Sequence, residues 1–380
     1  MPETRRASWQ VEREDRMRIL STLKRLVARP PSPWPVLSVY VNTRPIGSAM
    51  TTYRPFLKKR MTEELKALKA RSPEHESLAV DFARAQHYLD YDLREVTRSV
   101  AVFASYADED MFDAVQLPVE FSEQQVVIGA TPVLFPLLRM ADRYRRAAVA
   151  LADGSATRLF VLALGAIEVR REVRAPAARE EPGAGPATSL ATHSARALEE
   201  LVRDCGASWV MVGGEKAAAA ALCDALSPSA RDLLVEVSGW DPRMPESELA
   251  EDVTARIDER ERDIRIERAQ ALVEPGAGSS VMVGVDATLE ALRQDRVQEV
   301  MFGEGFPALV PAWTCRACRA FGGGSAPRAC PVCGRETIEP AALREELGTQ
   351  ALSRGASVHF VPSGAVPAFD DAGGVGGFLR

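Results

Sequence analysis

Lysine and histidine are both scarce in this 380-residue chain. Six of its 47 basic residues are lysines, and its four histidines stand apart at 75, 87, 193 and 359. No HExxH or other paired spacing joins them, so no catalytic zinc of that type is encoded. Each histidine reads as a surface or satisfied core residue. GxSxG is also missing, which removes the nucleophile elbow of the α/β-hydrolases. The opening residues, MPETRRASWQVEREDR, hold no apolar core of a secretory signal. The longest apolar stretch, around Ala147–Val169, is broken by Asp153, Arg158 and Gly165 and reads as strands, not as a membrane span. Cysteine usage does not fit a secreted disulfide scaffold, because four of the six fall in two close pairs. A cytoplasmic protein with no membrane partner is the expectation.

Charge is plentiful and unevenly placed. The 47 Lys+Arg face 53 Asp+Glu, a net of −6. Residues 1–60 carry 13 basic and 4 acidic residues, a net of +9, which leaves −15 for the other 320. Such asymmetry points to contact with a polyanion through one end only. The arginine bias suits phosphate, which a guanidinium grips as a fork. At roughly 100–200 residues per domain, the length predicts two to four domains.

Periodicity predicts an amphipathic helix over 8–29, stopped by Pro30-Pro31-Ser32-Pro33. A strand at Val36–Val41, helices near 51–71 and 74–92, and strands at Ser99–Ser105 and Asp113–Leu117 form an α+β unit ending near 142. A β-hairpin around Asp153-Gly154-Ser155 and a third strand at Ala166–Val173 open a second unit. Alternating helices and strands then predict an α/β sheet up to Val237. Pro245–Glu274 reads as a long helix with 10 acidic and 5 basic residues, expected to be a solvated connector. A third unit, after Pro275-Gly276-Ala277-Gly278, shows a βαβ pattern, a cysteine-rich insert, a helix at Ala341–Arg354 and a strand at Ser357–Val361.

Cys315-x2-Cys318-x11-Cys330-x2-Cys333 carries the most specific chemistry. Two CxxC knuckles at this separation place four thiolates around one tetrahedral Zn2+. Four thiolates fill the coordination sphere, so the ion would be structural. The alternatives are a redox dithiol or cysteines without metal. Cys205 and Cys223 fall on helices and read as small core residues. A second feature is the basic stretch with Arg44, Arg54, Lys58, Lys59 and Arg60, interleaved with Tyr53 and Phe56. Cations among aromatics suit phosphate contact with base stacking, and these residues are the candidate RNA contacts. A solvated helix face is the other reading of the same charges. Arg143, Arg145 and Arg146 form a smaller cluster. Gly213-Gly214, after a strand, offers amides to an anion, or is a simple turn. Asp153 reads as turn chemistry.

In order along the chain, LSVYVNTRP (37–45), the hairpin VALADGSATRLFVLALGAIEVRREV, the charged helix, GVDATLEALRQDRVQEVMFGE with its insert and the closing GGVGGFLR resemble the archaeal and eukaryotic class-1 peptide chain release factor and Pelota superfamily, most of all its bacterial branch. The resemblance implies a multidomain α/β and α+β fold. A release-factor-like N-terminal domain (1–142) would reach the decoding centre. A ribonuclease H-like middle domain (143–274) would point toward the peptidyl-transferase centre. The C-terminal domain (275–380) would have the fold of kink-turn-binding ribosomal proteins, with the zinc ribbon inserted at about 312–338. It also implies the ribosome as partner, through rRNA at the A site, and a translational GTPase such as elongation factor Tu. DNA is not an expected partner.

The departures bear on the reaction. Release factors of this kind carry a Gly-Gly-Gln loop whose glutamine positions the attacking water. Here the matching middle-domain tip contains Glu180, Glu181, Gly183 and Gly185, and no glutamine occurs between Gln125 and Gln270. The stop-codon-reading Asn-Ile-Lys-Ser motif is absent too. No residue is therefore assigned a catalytic role. The expectation is a non-catalytic A-site factor acting in ribosome hibernation or rescue, as implied by superfamily members that lack the motif. The alternative is a peptidyl-tRNA hydrolase with a diverged loop, for which Thr188, Ser189 and His193 are the nearby polar side chains. A nuclease reading would need several carboxylates converging with Asp153.

Overall fold

The computed structural model describes residues 19–43, 53–95, 97–174, 186–276, 280–307, 309–339 and 342–380, the side chains of 186–189 excepted. Two compact units emerge. One is built from Arg143–Glu261, and the other joins Asp15–Asp142 to Arg262–Arg380.

The joined unit holds two sheets. After helix α1 (19–28), strand β1 (Val36–Asn42) lies between β2 (Ser99–Ser105) and β4 (Gln125–Gly129), with β3 (Met111–Leu117) outside β2. Every pairing in this sheet is antiparallel. Helices α2 (Tyr53–Ala67) and α3 (Pro73–Tyr91) cover one face. Alternation along β1 explains the choice: Leu37, Val39 and Val41 pack with Leu57, Leu78, Phe82 and Leu89. Ser38 and Tyr40 point the other way, where the Tyr40 hydroxyl donates to the Val133 carbonyl at 2.5 Å and Ser38 Oγ accepts from Val133 N. The start of α3 is written locally. The Ser72 side chain accepts from His75 N, Pro73 occupies the first turn, and Glu74 and Glu76 complement the dipole. Strand β4 and the short helix α4 (Phe135–Arg143) are not among the elements expected from sequence.

In the second sheet of this unit the order is β10 (Val281–Val283), β16 (Val375–Leu379), β11 (Val297–Gly303), β15 (Ser357–Val361). The βαβ reading put β10 and β11 side by side; β16 instead lies antiparallel between them. This is the Gly-rich end of the chain, and the glycines are required there. A Cβ on Gly377 would fall 1.9 Å from the Glu299 carbonyl oxygen, and one on Gly376 would fall 2.7 Å from that of Met282. Helices α9 (Val285–Arg293) and α10 (Leu343–Ser353) belong to this part.

The other unit is a five-stranded sheet ordered β7 (Ala166–Arg174), β6 (Ala156–Ala163), β5 (Arg146–Ala152), β8 (Trp209–Gly214), β9 (Leu234–Ser238). β5, β6 and β7 are antiparallel neighbours; β8 and β9 run parallel to β5. Strand β5 is buried on both faces. Ala148, Ala150 and Ala152 pack under α5 (Pro186–Cys205) and α6 (Lys216–Ala225), and Ala147, Val149 and Leu151 pack on the start of α8 (Glu246–Val273). Thus α8 is not the solvated connector that its charges suggested. Leu249, Val253 and Ile257 recur every four residues and enter this core, and Ala269 and Leu272 enter the core of the joined unit. Its charges occupy the remaining faces. Among the described residues, no helix is long and apolar enough to cross a membrane.

Candidate metal centre and basic face

The cysteine insert folds as a three-stranded sheet, with β12 (Ala312–Cys315) between β13 (Phe321–Gly323) and β14 (Thr337–Ile338). Its two knuckles share one geometry. In the first, Ala317 N donates to Cys315 Sγ and Arg319 N to the Cys315 carbonyl; in the second, Val332 N donates to Cys330 Sγ and Gly334 N to the Cys330 carbonyl. Each turn closes on a residue of positive φ, +57° at Arg319 and +71° at Gly334. Glycine adopts that conformation freely, and arginine is strained by it. The four sulfurs lie within 4.8 Å of one another, with Cys315–Cys333 at 3.5 Å and Cys318–Cys330 at 3.6 Å. Metal–sulfur bonds of about 2.3 Å place tetrahedral ligands about 3.8 Å apart. The set therefore fits one ion. Amide hydrogen bonds from Cys318, then Ala317, pull the Cys315 thiol down to about 6, toward the thiolate that a metal binds. Among the described residues, these cysteines are the one group of three or more His, Cys, Asp or Glu able to share an ion.

The structure divides the candidate RNA contacts. Tyr53 is buried in the α2/α3 core, and its hydroxyl donates to the Leu89 carbonyl at 3.1 Å. Its ring cannot stack on a base, which corrects the expectation from sequence. Burial also pushes its phenol above the usual range. Phe56 packs against the same core. Arg54, Lys58 and Lys59 are exposed on α2. The stretch looked free of acid, yet folding supplies it: Arg54 meets Asp90 at 2.9 Å, Lys59 meets Glu63, and Arg60 meets Glu63 and Glu64. Arg44 lies outside the described residues, as do Glu180, Glu181, Gly183 and Gly185 of the tip. The smaller cluster is also paired, with Arg143 to Asp258, Arg145 to Glu261 and Arg146 to Glu168.

At the end of β5, Asp153 accepts from the amides of Ser155 and Ala156, both at 2.6 Å, and from the Ser155 hydroxyl. Partial burial opposes the charge, but these donors hold the carboxyl below its usual range. The turn after β8 brings Glu215 alongside, and its carboxylate accepts from Gly154 N at 3.1 Å. Sequence reasoning missed Glu215, because only the parallel pairing of β5 with β8 places the two ends together. Gly213 and Gly214 are a packing requirement. A Cβ on Gly214 would meet the Ala152 carbonyl oxygen at 2.0 Å, and one on Gly213 the Trp240 ring at 2.5 Å. His359 Nδ1 lies 2.7 Å from an Asp142 carboxylate oxygen, a structural contact.

Residues 188–277, from α5 through α8, match the family model described as bacterial archaeo-eukaryotic release factor family 2. That segment, about a quarter of the chain, is similar to the family. Three solved structures are similar to the chain. An archaeal translation termination factor, aRF1, is 14% identical over 97% of this chain and 98% of its own, with a TM-score of 0.27. Archaeoglobus fulgidus Pelota is 16% identical over 74% of this chain and 79% of its own, at 0.36. S. cerevisiae Dom34, described as a translation termination-like factor, is 8% identical over 74% and 80%, at 0.41. No curated protein matches the chain.

Proposed function

We propose that this protein binds the ribosomal A site as a release-factor-like body without hydrolysing peptidyl-tRNA, and acts in ribosome hibernation or rescue. One observation carries the reading: a segment that matches a release-factor family model, in a chain with no glutamine between Gln125 and Gln270. The glutamine that would position water is missing from the whole region where the superfamily holds it. The order β7-β6-β5-β8-β9, with β6 antiparallel and β8 and β9 parallel to β5, supports a ribonuclease H-like middle domain. The exposed Arg54, Lys58 and Lys59 support RNA contact at the N-terminal end. The sulfur geometry supports Zn2+ as the ion. Domains at 1–142, 143–274 and 275–380, a cytoplasmic site of action and delivery by a translational GTPase complete the proposal.

Co-sedimentation with purified bacterial 70S ribosomes at physiological salt tests it. The protein is expected in the pellet with vacant or stalled ribosomes and to release no labelled peptide from the stalled ones. Protein left in the supernatant with both overturns the binding. Peptide release lost on deleting 180–190 overturns the non-catalytic reading.

A further inference from the structure

A cavity of about 390 Å³ lies in the joined unit, walled by the end of α1, the end of α9, helix α10 and the first cysteine knuckle. That volume falls in the range of small-molecule sites. Four arginines line it: Arg29, Arg293, Arg319 and Arg354. Like charges converge this way only against a cost in repulsion, so their counter-charges matter. Arg29 is compensated by Asp108 and Arg293 by Glu290. Arg319 and Arg354 have no carboxylate partner among the described residues. Arg319 uses Nη2 alone, on the Ala28 carbonyl at 2.6 Å. Arg354 uses Nη1 alone, on Gln350 and Ser353. A guanidinium has five donors, so most of theirs stay unused.

The arrangement is held in place. The Arg293 and Arg354 guanidiniums sit 5.9 Å and 5.3 Å from the centroid of one ring, that of Phe321, and Arg293 also donates twice to the Phe321 carbonyl. Phe321 is buried in the insert sheet. The backbone of Arg319 is set by its place in the knuckle turn, and its guanidinium donates to the Ala28 carbonyl. The acids on the wall are weak counter-charges. Asp295 is drawn to Arg380, and burial pushes the Glu346 carboxyl up to about 7. Burial likewise lowers Arg354 from its usual value, against the opposing charges of Asp295 and Glu346.

We propose that this cavity binds a phosphate group, carried by RNA or by a free nucleotide, between Arg319 and Arg354. Planar forks with free N–H donors match phosphate oxygens, and the negative charge of a phosphate supplies the ion pair that Arg319 and Arg354 lack. The site does not depend on ribosome binding. A protein that fails to sediment with ribosomes still binds its phosphate ligand here.

Isothermal titration of the full-length protein at low salt tests the site, with AMP, adenosine and a short oligouridylate as probes. AMP or the oligonucleotide is expected to bind and adenosine is not. Binding of AMP assigns a free nucleotide; binding of the oligonucleotide alone assigns RNA. The double variant Arg319→Gln, Arg354→Gln is expected to weaken binding at least about tenfold, ~1.4 kcal/mol. Should that variant lose its folded circular dichroism, Arg354→Lys keeps charge and stem but not the fork, and severalfold weaker binding is expected of it. No binding by either phosphate probe, adenosine binding as well as AMP, or unchanged affinity in the folded variant overturns the proposal.

Discussion

The Glu345 carboxylate caps the helix that begins at Phe135. Its Oε2 accepts from Phe135 N at 2.8 Å and from Leu134 N at 2.9 Å, across 210 residues of sequence. A carboxylate at a helix N-terminus satisfies orphan amides and complements the dipole. The capped ring is clamped as well. Phe135 meets Phe302 and Phe360 edge-on, with centroids 5.3 Å and 5.1 Å away, and Arg344 lies over its face. One buried acid thus ties the N-terminal sheet's last helix to the C-terminal sheet.

Removing that acid leaves two buried amides unsatisfied. Glu345→Ala is expected to lower unfolding free energy by about 1–3 kcal/mol, and Glu345→Gln by less, because its carbonyl still accepts. Urea melts read the difference. Equal midpoints for wild type and the alanine variant would remove the cap from the account.

Stability is expected to fall as pH rises from about 5 to 7. Burial pushes Glu345, Glu346 and Asp81 each up to about 7, against ordinary values near 4. The native state therefore holds more protons than the unfolded chain between these limits, and the stability present at the acid end is lost as pH passes through about 7. Each group contributes a slope of at most ~1.4 kcal/mol per pH unit. Urea midpoints across this window check the sign, and Glu346→Gln is expected to flatten the decline.

One zinc per chain is expected by elemental analysis. Replacing Cys315 and Cys318 by serine is expected to release it, and to leave the melting of the five-stranded unit unchanged. The insert has three short strands and a small core of Trp313, Cys315 and Cys330, so the metal organises the insert. Global loss of circular dichroism contradicts this.

Gly377→Ala is expected to break the C-terminal sheet. Its methyl group would lie 1.9 Å from a backbone oxygen of the paired strand, where no side-chain rotation relieves the clash. The loss is expected to exceed the ~1–3 kcal/mol typical of overpacking. A variant with wild-type melting would refute the close strand approach.

Charge reversal of Arg54, Lys58 and Lys59 is expected to weaken ribosome co-sedimentation at low salt, with the deficit shrinking at higher salt as the wild-type contacts are screened. Tyr53→Phe is expected to leave it unchanged, because that hydroxyl serves the Leu89 carbonyl inside the core. An effect of Tyr53→Phe as large as the charge reversal would move the contact elsewhere.

Locally written features are legible along the chain. The CxxC pairs, the Ser72-Pro73 start of α3, and the alternation that buries Leu37, Val39 and Val41 need only neighbours in sequence. Spacing of two to four residues sets each of them, because backbone turns and strand pleats repeat on that scale. So does the missing glutamine, which is a fact of composition.

What only the tertiary structure decides is pairing across distance. The charge of Arg54 looked free until α3 brought Asp90 to it. The charges of α8 hid a helix that enters two cores, because alternate faces carry opposite chemistry. The Gly-rich terminus becomes an inner strand, since only glycine fits between two neighbours that close. Arginines at 29, 293, 319 and 354 share a cavity although up to 325 residues separate them. Sequence sets which groups exist and their local backbone; folding, driven by burial of the sheets, sets which charges must face one another.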